Sequence, residues 1–336
     1  MARSKPIIVA EVAMAHEGSL GLAMAFATQA HNSGADAVKF QMHLADEESN
    51  LSEPFRVNVF PQDSTRYSYW KRTEFSLGEW EILKNHCDRL GIEFMCTPFS
   101  PKAVELLSRI GVKRWKVGSG DTSNFQLLDA LAQTKLPVIL STGMSTWPEI
   151  LASISFLRNS GLEDLTVLQC TTAYPTAISE VALLTMDEIR INFGVASGLS
   201  DHSADITIPI MAIALGASMI ECHVAFAREQ FGPDSSSSLT FEELKLLTRA
   251  ARNYPEVMQI ADKNSNTVLK SKEREIFGRS ICARHFLKAG TTISKEDLAY
   301  LKPGGGISWE QKSKVVGKQV TKDLLPGEAI NLIDLK

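Results

Sequence analysis

Gly198-Leu199-Ser200-Asp201-His202 and Ile220-Glu221-Cys222-His223 decide how this chain is read. Each histidine follows a short apolar run, Phe193 to Ala196 for the first and Ala217 to Ile220 for the second. The apolar segment Ile206 to Ala217 lies between them. Two parallel strands need a crossover, usually a helix, so strand–helix–strand places both imidazoles on one rim of a parallel sheet. Imidazole is the commonest protein metal ligand and is neutral near pH 7. His202 and His223 therefore read as a pair that holds a divalent metal. Two unrelated histidines, one packed and one exposed, are the plainer alternative, and the rest of the chain decides against it.

Working outward, eight short β-branched-rich runs recur: Ile7–Val12, Ala37–Gln41, Glu93–Thr97, Arg114–Val117, Val138–Ser141, Thr166–Cys170, Gly194–Ala196 and Met219–His223. Helical stretches alternate with them: Leu20–Asn32, Leu77–Leu90, Pro101–Arg109, Phe125–Gln133, Trp147–Asn159, Met186–Asn192, Ile206–Leu215 and Phe241–Ile260. Strand then helix, eight times over, predicts an α/β fold, a (β/α)8 TIM barrel across residues 1–264. Ala45–Glu74 reads as a long polar and aromatic insert after the second strand, a length of loop that is usually functional.

Polar residues cluster where the runs end: Glu11; Lys39 and Gln41; Thr97; Lys116 and Ser119; Ser141; Thr171, Thr172 and Tyr174; Ser200, Asp201 and His202; Glu221 and His223. Charges inside otherwise apolar strands are costly unless paired or used, and barrel active sites sit at the C-terminal rim. Lys39 and Lys116, with the hydroxyls of Thr97, Ser119, Ser141 and Ser200, suit a phosphate or carboxylate. Glu11 and Glu221 are candidate acid/base carboxylates, and a metal on the two histidines would polarise a carbonyl oxygen. A phosphate ester and a carbonyl electrophile fit this set.

The chain of 336 residues is 44 % hydrophobic and 22 % charged, an ordinary globular profile. Its net charge of −4 gives no reason to expect nucleic acid or an anionic membrane as partner. Five cysteines without a C-x-x-C spacing point to reduced thiols, hence a cytoplasmic location. Met1 to Pro6 is basic but lacks a signal-peptide core, and the apolar run Ile206 to Ile220 is too short to span a bilayer.

Residues 265–278 read as a polar linker with a possible helix, and 279–336 as a small β-rich domain. Within it ARHFLKAGTTISKEDL (283–298) is echoed by VTKDLLPGEAINLIDL (320–335), with Leu, Gly, Ile, Asp and Leu in register at 287/324, 290/327, 293/330, 297/334 and 298/335. A core this small is marginal alone, so docking on another surface is expected. Lys302-Pro303-Gly304-Gly305-Gly306, between the repeats, is the candidate functional turn.

These residues carry a resemblance to the sialic acid (nonulosonic acid) synthase family. Ile8-Val9-Ala10-Glu11 with His16-Glu17-Gly18, Val38-Lys39-Phe40-Gln41, Cys96-Thr97-Pro98-Phe99, Lys116-Val117-Gly118-Ser119-Gly120, Ser141-Thr142-Gly143-Met144, Tyr174-Pro175-Thr176, Gly198 to His202 and Gly232-Pro233-Asp234 are similar to its successive motifs. The tail resembles its antifreeze-like (SAF) domain. The resemblance implies condensation of phosphoenolpyruvate with an N-acylated amino sugar. It implies Mn²⁺, or a similar ion such as Mg²⁺ or Co²⁺, on His202 and His223. Phosphoenolpyruvate would be held by Lys39, Thr97, Lys116, Ser119, Ser141 and Ser200. Gln41, Asp121, Tyr174 and Asp234 would face the sugar. Glu11 would handle protons and Glu221 support the metal centre. A homodimer is implied, the small domain of one subunit covering the other's barrel.

Four positions depart from the family pattern: Thr172 for Asn, Cys222 for Lys, Ser235 for His, and Lys302 for an Arg that contacts the acceptor's acylamino group. They fall mostly on or beside the acceptor side and put N-acetylmannosamine in doubt as the substrate. Two other readings remain open on the residues. One is a phosphoenolpyruvate-dependent 3-deoxy-ulosonate phosphate synthase, whose sugar phosphate would want a cationic cluster such as Arg56, Arg66, Lys71 and Arg72. The other is a non-catalytic carbohydrate-binding or structural protein whose working part is the tail.

Overall fold

The structure, a computed structural model, describes residues 4–57, 61–265 and 270–336. It divides into two compact units, Met1–Gln259 and Ile260–Lys336. The first is the expected barrel. Its strands are β1 (Ile7–Ala13), β2 (Ala37–Met42), β3 (Glu93–Pro98), β4 (Trp115–Val117), β5 (Val138–Ser141), β6 (Leu165–Cys170), β7 (Ala196–Asp201) and β8 (Met219–Ala225). They pair in parallel in the order β3-β2-β1-β8-β7-β6-β5-β4, and β3 packs beside β4.

The helices lie where the apolar periodicity put them: α1 (Leu20–Asn32), α4 (Leu77–Leu90), α5 (Pro101–Ile110), α6 (Phe125–Thr134), α7 (Trp147–Asn159), α8 (Thr185–Phe193), α9 (Thr207–Ala214) and α10 (Phe241–Val257). Local chemistry starts them. Ser76 and Glu79 close a capping box on α4, Thr240 and Glu243 do the same on α10, and Pro101 occupies the first turn of α5 behind the Ser100 cap. The expected insert contains two short helices, α2 (Ala45–Glu48) and α3 (Arg66–Thr73); its residues 58–60 lie outside the described residues, as do 1–3 and, in the expected linker, 266–269. Among the described residues no helix is long and apolar enough to cross a membrane.

Strand alternation builds the barrel in layers. Outward residues such as Ile8, Phe40, Phe94, Trp115 and Cys222 join the main core under the helices. Inward, an apolar plug of Val9, Ala37, Met95, Ile139, Leu168 and Met219 fills the barrel. Two residues further along each of those strands the inward face turns polar: Glu11, Lys39, Thr97, Ser141, Cys170 and Glu221. The plug is the floor on which the site stands.

One strand differs from its reading. Gly194–Ala196 was expected, but β7 starts at Ala196 and runs to Asp201, because Gly194 takes a left-handed conformation (φ 60°) that ends α8. The polar-looking Ser-Gly-Leu-Ser is thus interior strand. A Cβ on Gly198 would stand 2.1 Å from the Met219 carbonyl oxygen, so β7 and β8 approach this closely only with glycine here.

In the second unit, α11 (Ser271–Phe277) precedes the antiparallel pair β9 (Ser280–Ala283) and β10 (Leu298–Leu301). The echoed segments face each other. Leu287 and Leu324 exchange backbone bonds of 3.0 and 2.8 Å. Gly290 N–H donates to Val320 O as Gly327 N–H donates to Ala283 O, each at 2.8 Å; Ile293 bonds Lys318 O as Ile330 bonds Ile281 O. Gly290 and Gly327 both hold positive φ (90° and 80°). The repeat is therefore a pseudo-twofold unit around Ile281, Leu287, Ile293, Val320, Leu324 and Ile330.

Candidate active site

At the C-terminal rim of the barrel lies a cavity of about 480 Å³, within the usual range for small-molecule sites. It is lined by Glu11, Lys39, Gln41, Thr97, Lys116, Ser119, Asp121, Ser141, Tyr174, Ser200, His202, Glu221, His223 and Asp234. These are all the site candidates of the first unit. Lys302 belongs to the second unit, where its ammonium sits 5.7 Å from the Phe277 ring centroid.

The floor is a compact charge network. Lys39 Nζ lies 2.7 Å from Glu11 Oε2 and 3.5 Å from Glu221 Oε1, and donates to Thr97 Oγ1 at 3.0 Å. Lys116 Nζ approaches Glu221 Oε1 at 3.3 Å, and Ser200 Oγ lies 3.4 Å from the same oxygen. The register produces this: Glu11 faces Lys39 across β1–β2, and Ser200 faces Glu221 across β7–β8. Burial works to raise Glu221, but Lys116 and then Lys39 outweigh it and hold it at about 2. Burial raises Glu11, with Lys39 pulling the other way. Burial also lowers Lys116. Ser141 Oγ and Glu221 Oε2 have no hydrogen-bond partner among the described residues. Buried polar atoms without partners need a reason; here both border a cavity sized for a ligand.

The two imidazoles stand side by side, ring centroids 5.2 Å apart. Burial pushes His202 and His223 down to about 3, so both are neutral donors of a lone pair. His202 Nδ1–H donates to the Thr171 carbonyl oxygen at 2.9 Å, which leaves the Nε2 lone pair free. Asp234 lies 3.9 Å from His223 Nδ1. Among the described residues no three His, Cys, Asp or Glu side chains converge as a metal-holding group. Two neutral imidazoles side by side are a donor set that would fit a divalent ion.

The walls are aromatic. Tyr174 stacks on His202 at 4.1 Å, and Arg56 lies over the Tyr174 ring at 4.1 Å while pairing with Asp234. Phe55, Tyr69, Trp70 and Phe99 add apolar surface. The insert cations are neutralised: Arg66 by Glu53, Lys71 by Asp46 and Glu74, and Arg72 by Glu17 and Asp63. Of the departures, Thr172 lines the cavity and Ser235 is buried in the turn after Asp234. Cys222, flanked by two inward residues, points out into the helix-covered core.

Sequence reasoning missed His43 and Glu48. His43 continues the inward alternation Lys39, Gln41, and that period of two was the available signal. Glu48 carried none, since only the fold of the insert brings it to His43.

The chain belongs to the NeuB family, whose model matches residues 26–263; a SAF domain model matches 278–336. It is 36 % identical to the N,N'-diacetyllegionaminic acid synthase of Legionella pneumophila over 331 residues, covering 96 % of this chain and 92 % of that protein. It is 30 % identical to a pseudaminic acid synthase of Campylobacter jejuni, over 99 % of this chain and 97 % of that one. Among solved structures, the N-acetylneuraminic acid synthetase of Leptospira borgpetersenii, in complex with citrate, superposes with a TM-score of 0.69. It is 27 % identical, over 80 % of this chain and 92 % of that one.

Proposed function

We propose that this chain is a nonulosonic acid synthase that condenses phosphoenolpyruvate with a free amino sugar bearing two acylamino groups. The observation that carries the reading is the floor network: the Lys39 and Lys116 ammonium groups and the hydroxyls of Thr97, Ser141 and Ser200, that of Ser141 without a partner among the described residues, converge beside a neutral histidine pair. Lys39 and Lys116 would hold the phosphate and carboxylate of phosphoenolpyruvate, with Thr97, Ser119, Ser141 and Ser200 supplying hydrogen bonds. Carbon 3 of phosphoenolpyruvate forms the new bond to the sugar aldehyde carbon. Water adds at carbon 2, and the tetrahedral product expels phosphate by C–O cleavage. Glu11, which contacts Lys39 and Gln41, would manage the protons of the aldehyde oxygen and the water. A divalent cation, Mn²⁺ by preference, would be held by His202 and His223 and would supply Lewis-acid polarisation of the aldehyde.

The acceptor assignment draws on three supports. The relative with 36 % identity is named for a diacetylated product. Thr172, one of the departures from the family pattern, lines the cavity. The insert cations that a sugar phosphate would want are each already paired with a carboxylate. The homodimer implied by the family resemblance, with the tail bringing Lys302 to the partner's cavity, is part of the proposal. So is a cytoplasmic location, which suits five free, buried cysteines.

The test is phosphate release from phosphoenolpyruvate, with Mn²⁺, against a panel of free and phosphorylated amino sugars. Fastest release with a free diacylated sugar is expected. Preference for a phosphorylated sugar would overturn the acceptor assignment, and no release with any sugar the reaction itself.

A further inference from the structure

We propose that His43, backed by Glu48, is a positioning residue that fixes the amide of Gln41, so that one N–H goes to Glu11 and the other faces the acceptor. The inference rests on the reading of Gln41 as acceptor-facing. Its basis is an unbroken chain of contacts. Glu48 Oε1 lies 2.7 Å from His43 Nδ1; His43 Nε2 lies 3.1 Å from Gln41 Oε1; Gln41 Nε2 lies 2.8 Å from Glu11 Oε1; and Glu11 Oε2 lies 2.7 Å from Lys39 Nζ. The His43 ring is clamped between Trp70 (3.8 Å, 13°) and Phe99 (4.1 Å, 12°), so it cannot tip away.

The polarity of the chain follows from its end. A carboxylate beside the Lys39 ammonium accepts, so Gln41 turns its NH2 to Glu11 and its Oε1 to His43. His43 must then carry a proton on Nε2, and only one neutral tautomer allows that. Nδ1 is then bare and needs a donor, which is the acid form of Glu48. The surroundings favour that form. Glu53, Glu74 and Asp121 are carboxylates that act on both members of the pair, and Arg66 is a cation acting on His43. Burial first, and then these carboxylates, push Glu48 up to about 9; burial pushes His43 down to about 3. The neutral pair thus holds the amide in one orientation. If Glu48 loses its proton, Nδ1 becomes the protonated nitrogen, and two acceptors face each other between His43 and Gln41.

His43→Phe keeps the ring between Trp70 and Phe99 and removes both nitrogens. It is expected to raise the acceptor KM roughly fivefold to tenfold, the worth of one or two hydrogen bonds, with the phosphoenolpyruvate KM unchanged. Glu48→Gln, whose amide can donate to Nδ1, is expected to keep the wild-type acceptor KM. It should also keep that KM flat above pH 8, where the wild-type value climbs. ¹⁵N spectra of histidine-labelled wild type should show His43 protonated on Nε2. Equal damage to both substrates in His43→Phe, an unchanged acceptor KM, or an Nδ1-protonated His43 would overturn the proposal. A wild type that consumes no phosphoenolpyruvate with any amino sugar defeats the substrate reading instead, and the tautomer still decides the relay.

Discussion

Lys39 touches two carboxylates and Lys116 one, so the two lysines should fail differently. Loss of either charge removes a charge-assisted contact to an anion, worth about 1.5–3 kcal/mol or one to two decades of affinity. Lys39→Met also leaves Glu11 and Glu221 buried without their shared cation, a loss of about 3–5 kcal/mol of stability. Both variants should bind phosphoenolpyruvate more weakly by titration calorimetry, and Lys39→Met should also melt markedly earlier. Equal melting temperatures would remove the structural role of Lys39. Most of the cavity was legible at this scale, because charges and hydroxyls two residues apart at the ends of apolar strands have few packing explanations. His43 was not, since its partner is supplied by an insert whose sequence reads only as polar and aromatic.

At the scale of elements, the alternation of β-branched runs and helical stretches located seven strands within a residue or two and all eight main helices. The exception, β7, is instructive. Apolar runs mark the other strands up to their polar ends, whereas β7 turns Gly198 and Ser200 inward and leads directly into His202. Its pattern is therefore polar, and the reading stopped at Ala196, where the polar residues begin. Gly198→Ala tests the price of that packing: a methyl group 2.1 Å from the Met219 carbonyl forces β7 from β8. Overpacking typically costs about 1–3 kcal/mol, and the shift would also separate His202 from His223. A lower melting temperature with weakened Mn²⁺ binding is expected; wild-type values for both would show that the strands have slack.

For the molecule as a whole, acid stability should follow its buried histidines. His16 is 1 % exposed, and its Nε2 has no hydrogen-bond partner among the described residues. Burial, with His43 nearby, lowers it to about 3 from 6.5. Below pH 6.5 the unfolded chain binds a proton that the folded one refuses, so stability falls as pH falls from 6.5 toward 3. The raised carboxyls, Glu11 and Glu48, act in the opposite sense, losing stability as pH rises above 4.5 toward their folded values. His16→Phe should shrink the stability lost between pH 7 and pH 5 by about 2 kcal/mol in urea titrations. An unchanged loss would mean that His16 stays accessible to protons.

The reciprocal hydrogen bonds of the tail amount to an exchange symmetry. When Gly290 does to Val320 what Gly327 does to Ala283, neither half is template for the other; each completes its twin. Two identical short chains about a twofold axis would make the same bonds. A tail rewritten so that 320–335 repeats 283–298 letter for letter should therefore still fold, with the amide dispersion of the native unit by NMR. Collapse of that symmetrised chain would show that the fold depends on the differences between the two halves.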